Sequence, residues 1–186
     1  MFNKLITVFV MGLSVLSGGA LAAEASPYAG EEAREIKALS ESHIAGLLAG
    51  KGMGYAKAAE LNGYPGPAHV LELAEGLSLN ADQRSKTEAV FAQMEVAAKK
   101  LGAELVAAEA ALDEALTSRM VDESSLLKLV QKIGDVESRL RAVHLNAHLQ
   151  QVRILDDDQI SKYMALRGYH RGHHGMHGNQ HKQHGH

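Results

Sequence analysis

Leu79-Asn80-Ala81-Asp82-Gln83 and Leu155-Asp156-Asp157-Asp158-Gln159 bracket a long, nearly glycine-free stretch of this chain. Each pentad carries a helix-start signal. A leucine precedes an Asn or Asp whose side-chain oxygen accepts a backbone N–H, and a Gln three residues on reaches back to the cap's own N–H, the capping-box arrangement. The second pentad adds a staple between Leu155 and Ile160 across the first turn.

Between the pentads the apolar residues keep a strict alternation of three and four: Phe91, Met94, Ala98, Leu101, Leu105, Ala108, Leu112 and Ala115. After a break around 118–122 the spacing resumes at Leu126, Leu129, Ile133, Val136, Leu140, Val143 and Ala147. This is the seam of a coiled coil. It predicts helices over 81–117 and 123–151, the second capped by Asp122, with Met94 in the core. So short a connection makes the two antiparallel neighbours, a helical hairpin whose first arm is roughly 55 Å long at 1.5 Å per residue.

Working outward, 31–39, 42–49, 55–61 and 67–75 read as short helices. Gly50-Lys51-Gly52 separates two of them as a hinge, Asn62-Gly63 stops another and Pro65-Gly66-Pro67 is a turn. Such short pieces are not stable alone and must pack on the hairpin or on a second subunit. The fold class is therefore all-α, a long antiparallel hairpin with short flanking helices.

The first residues, with Lys4, an apolar run from Leu5 to Leu16 and Ala20-Leu21-Ala22, read as a secretory signal peptide over 1–22, cleaved before Ala23. The remainder divides into a short-helix segment, 23–66, a helical domain, 67–167, and a tail, 168–186. No second stretch is a candidate membrane span. The 186 residues include no Cys, so no disulfide framework is available and packing alone must stabilise the fold. With a formal net charge of −3, nucleic-acid binding has no electrostatic basis.

The tail carries seven histidines, His170, His173, His174, His177, His181, His184 and His186, among Gly, Gln, Asn and Lys. Such a segment cannot bury a core and is expected to be disordered without a ligand. Neutral imidazoles suit Zn, Ni and Cu(II), so the tail is expected to bind divalent transition metals with moderate affinity and poor selectivity. His144 and His148, four apart on a predicted helix, share one face at the edge of the seam and can share an ion. The intervening Leu145-Asn146-Ala147 lacks the Glu of a zincin motif, so no general base for hydrolysis stands there. An enzyme is not expected: the chain offers no Cys nucleophile, no nucleophile elbow and no phosphate-cradling glycine loop.

The two pentads and the rods between them resemble the Spy/CpxP family of periplasmic helical proteins, whose hallmark is a pair of Leu-Thr-x-x-Gln motifs flanking a helical hairpin. Here Asn80 and Asp156 stand where the motif has Thr, and the capping chemistry is kept. The likeness covers roughly 67–166, and the signal and His-rich tail match metal-handling members of the ZraP and CnrX types. It implies a four-helix protomer that dimerises into a cradle. The implied roles run from ATP-independent chaperoning of unfolded envelope proteins, through restraint of a membrane-bound sensor or regulator, to binding of Zn, Ni, Co or Cu. By likeness to the sensor members, one ligand pair falls at His144 and His148. A further ligand falls at His69 with Glu72 one turn on, and Glu88 or Glu95 is a possible completion. The basic positions Lys99, Lys100, Lys128, Lys132, Arg139 and Arg141 are the solvated faces of the rods or, in a cradle, client-steering charges. Met53, Met120 and Met164 stay open as soft ligands or adaptable contacts. The expected function is divalent transition-metal binding in envelope metal or stress homeostasis, with a chaperone or kinase-restraining adaptor as the alternative.

Overall fold

The computed structural model describes residues 25–169, so the whole of the expected leader and the seven tail histidines lie outside the described residues. The described chain is all-helical: α1 (Glu41–Leu48), α2 (Lys57–Leu61), α3 (Pro67–Glu72), α4 (Ala81–Ser118), α5 (Glu123–Gln151) and α6 (Asp157–Leu166), with one 3-10 turn at Glu31–Ala33. The described residues fall into two compact units, 25–32 and 33–169. In the first, the described residues form a turn in which the Ala29 N–H donates to the Ser26 carbonyl and the Glu31 N–H to the Tyr28 carbonyl, both at 3.0 Å. The second holds every α-helix.

Both pentads form complete capping boxes. Asn80 Oδ1 accepts the Gln83 N–H at 2.8 Å and the Asn80 N–H donates to Gln83 Oε1 at 3.2 Å. Asp156 and Gln159 repeat the pair at 2.8 and 3.1 Å. Asp122 Oδ1 caps α5 by accepting the Ser125 N–H at 2.7 Å. These side chains satisfy N–H groups that a helix start leaves without carbonyl partners.

The core forms where α4 and α5 face each other under α1. Ala98, Leu101 and Leu105 of α4 and Val136 and Leu140 of α5 close around Leu47, Ile36 and Leu39. Gly102 is required here, because a Cβ at that position would collide with the Leu47 carbonyl where α1 rests on α4. A second cluster joins Val70 and Leu77 to Leu155, Tyr163 and Met164, with Leu79 and Ile160 against it.

Two expectations change. The helix over 31–39 is reduced to the 3-10 turn. The chain beyond it turns so that Ile36 and Leu39 enter the core and the Lys37 N–H and Nζ reach Asp113 at 3.1 and 2.9 Å, contacts a continuous helix does not offer together. The seam is also uneven: its middle is buried, whereas Leu126 is exposed, as are neighbouring Leu116, Met120, Leu127 and Val130. Near the α4–α5 connection these side chains lie beyond the core cluster, and a pair of helices covers only one stripe of each.

Candidate functional site

A cavity of about 420 Å³ opens between the α1–α2 connection, α3, α4 and α5, and His69, His144, His148 and Glu95 lie in its wall. Phe91, Met94, Ala49, Ala56 and Pro67 supply apolar lining. Met94 is thus half-buried at a cavity wall rather than in the core.

His144 does not stand at an accessible edge. It is 2% exposed, and its ring lies parallel to that of Tyr55 with centroids 6.0 Å apart. Burial pushes its imidazole below the ordinary value of about 6.5, and His148 adds to the shift, so the ring is held neutral. Its Nε2 is buried with no hydrogen-bond partner. A buried imidazole nitrogen without a partner at a cavity wall calls for one.

His148 is one turn further along α5. Its Nδ1 lies 2.7 Å from the Tyr64 carbonyl oxygen. A carbonyl only accepts, so Nδ1 carries the proton and Nε2 of the neutral ring carries the lone pair. That edge of the ring packs on Gly66, where a Cβ would come within 3.0 Å of Nε2 and Cε1. Gly66 therefore sets how closely the α2–α3 connection approaches the ring.

His69 on α3 has its Nδ1 2.9 Å from Glu72 Oε2. Glu72 accordingly orients His69 instead of facing the cavity as an independent ligand, and His69 Nε2 is the free nitrogen. Such anchoring of one ring nitrogen is how metal-binding histidines are held. Of the two carboxylates expected on α4, Glu95 reaches the cavity wall and pairs with Lys99 at 3.0 Å. Glu88 is not part of that wall. Among the described residues no group of three or more His, Asp or Glu is disposed to hold a metal ion, so the rings share a wall without converging on one point. The donor set nevertheless fits a borderline cation: two anchored imidazoles and one orphaned nitrogen.

Sequence reading missed four polar side chains around this site. Glu60 on α2 is nine-tenths buried, accepts the Tyr163 hydroxyl at 2.6 Å and Arg167 Nε at 3.3 Å, and leaves Oε2 without a hydrogen-bond partner. Tyr163 is held protonated far above its usual range, by burial first and by Glu60 second. Its oxygen also accepts the Gly66 N–H at 3.3 Å. Thr87 and Gln151 are fully buried and joined at 3.1 Å from Gln151 Nε2 to Thr87 Oγ1. Thr87 had a signal, since the three-four alternation run back from Phe91 reaches it; run forward from Ala147 the alternation lands on Gln150 and misses Gln151. Glu60 and Tyr163 had none, being 103 positions apart. No family model, curated protein or solved structure matches this chain. Among the described residues no helix is long and apolar enough to cross a membrane.

Proposed function

We propose that the chain is a periplasmic protein of the Spy/CpxP type that binds a divalent transition metal, Zn, Ni, Co or Cu, and serves envelope metal or stress homeostasis as a sensor or resistance accessory. One observation carries this reading. His148 and His69 each spend Nδ1 on a protein acceptor, which leaves the lone pair on Nε2, and both rings line the same cavity as His144, whose Nε2 is orphaned. Two imidazoles that offer a lone pair, beside a third with an unpartnered nitrogen, are matched by a cation of borderline softness. The seven tail histidines add a second, less selective set. A four-helix hairpin of the family type is part of the proposal. It is supported by the pairing of Thr87 with Gln151 and of Glu104 with Arg139, in which the α4 number rises as the α5 number falls.

Isothermal titration of Zn, Ni and Cu into the full chain, into a chain ending at Gly168 and into His144→Ala/His148→Ala tests it. Binding is expected in the first two and reduced in the third. No binding below about 100 μM in any form removes the metal reading, since affinity that weak is only about −5.5 kcal/mol.

The exposed Leu116, Met120, Leu126, Leu127 and Val130 near the α4–α5 connection favour a second reading, a homodimer or a chaperone-type surface for unfolded envelope proteins or a membrane-bound regulator. Sedimentation equilibrium and suppression of client aggregation at stoichiometric protein test it. A monomer without effect on aggregation rejects it.

A further inference from the structure

Glu60 is the only acidic side chain in the buried class among the described residues, and its two oxygens serve different parts of the fold. Oε1 is taken by α6, through the Tyr163 hydroxyl at 2.6 Å and by Arg167 at the C-terminal cap of that helix at 3.3 Å. Oε2 has no hydrogen-bond partner and sits 3.9 Å from His148 Nδ1. A line of contacts therefore runs from the cavity wall through one buried carboxylate to the last helix. Leaving a buried carboxylate oxygen unpaired is costly, and the cost is recovered when positive charge arrives beside it.

A cation on His148 Nε2 supplies that charge. Loading Nε2 polarises the ring, strengthens the Nδ1–H donation to Tyr64 and places a net charge 3.9 Å from Oε2, and the carboxylate favours that charge in return. We infer that Glu60 is a positioning residue that couples the cavity to α6: a divalent cation at His148 and the docking of α6 through Tyr163 and Arg167 stabilise each other. This rests on the metal reading of the cavity. Because coupling between two sites is reciprocal, contacts that α6 makes with Glu60 must change cation affinity although they lie outside the cavity wall.

The experiment uses the full chain, with zinc chloride as the probe. Histidine side-chain ¹⁵N NMR reads zinc at His148 Nε2 separately from the tail, and amide hydrogen exchange reads residues 157–166. Zinc is expected to shift the His148 Nε2 resonance and slow exchange across α6. Glu60→Gln should raise the site-specific Kd about tenfold and abolish the zinc-dependent slowing, while Tyr163→Phe should raise it about fivefold. Leu140→Ala, a destabilising change outside the cavity wall, should leave the affinity unchanged, separating positioning from loss of stability.

Zinc bound at His148 with α6 exchange unaltered, or a Tyr163→Phe affinity equal to that of the wild type, overturns the coupling while the metal reading survives. If no zinc reaches His148 the metal reading fails, and metal-free His148→Ala decides the remainder. Faster exchange over 157–166 retains the His148–Glu60–α6 link, and unchanged exchange removes it.

Discussion

Gln83 and Gln159 exchange side-chain hydrogen bonds, Nε2 of each donating to Oε1 of the other at 2.8 and 3.0 Å. Each Oε1 also accepts its own cap's N–H, and each Nε2 also donates to a carbonyl, Ile154 for Gln83 and Leu77 for Gln159. Every donor and acceptor of both amides is therefore used, and the starts of α4 and α6 are clasped together. Gln83→Ala or Gln159→Ala should each destabilise the protein by about 1–3 kcal/mol, because each strands a partly buried partner amide. Urea denaturation of the two single variants and the double variant should give a cost for the double that is smaller than the sum by about 0.5 kcal/mol or more.

Gly102 and Gly134 make a matched test of close packing on the two long helices. Nothing stands within 4 Å of a Cβ at Gly134, so Gly134→Ala should stabilise by about 0.5–1 kcal/mol through helix propensity. At Gly102 the Leu47 carbonyl occupies the place of the new methyl, so Gly102→Ala should cost about 1–3 kcal/mol despite the same propensity gain. Opposite shifts in thermal midpoint check the pair.

Thr87 and Gln151 form a buried polar pair between the two long helices. Thr87→Val removes the acceptor for Gln151 Nε2 and should cost about 1–3 kcal/mol. Adding Gln151→Leu should recover most of that loss, since replacing both partners by apolar groups leaves nothing unsatisfied. Chemical denaturation of the single and double variants measures it.

His144 makes folding sensitive to acid. Its folded-state pKa lies below the ordinary value, chiefly through burial, so the unfolded chain takes up the proton first. Stability is unaffected by this group well above about pH 6.5 and falls as the pH drops below it, until the folded ring also protonates. His144→Phe keeps an aromatic ring against Tyr55 and should flatten the stability profile between about pH 7 and 5. Urea midpoints across that range, compared with wild type, read the difference.

The amino-acid sequence by itself determined the long helices and their starts. Capping boxes at Asn80 and Asp156, the Asp122 cap and the three-four alternation are local codes, each read within a turn or two of backbone, and α4 and α5 begin and end within a residue of the expected bounds. Tertiary structure alone decided what those helices enclose. The 31–39 segment gave up helix for burial of Ile36 and Leu39 and for the Lys37–Asp113 contacts. The expected pair His144 and His148 became one buried ring and one ring anchored on Tyr64. Glu60 acquired its partners from a helix 103 and 107 positions away. Periodicity and capping act between near neighbours in sequence. Burial, an orphaned nitrogen and a shared carboxylate depend on which distant segments the packed rods bring together.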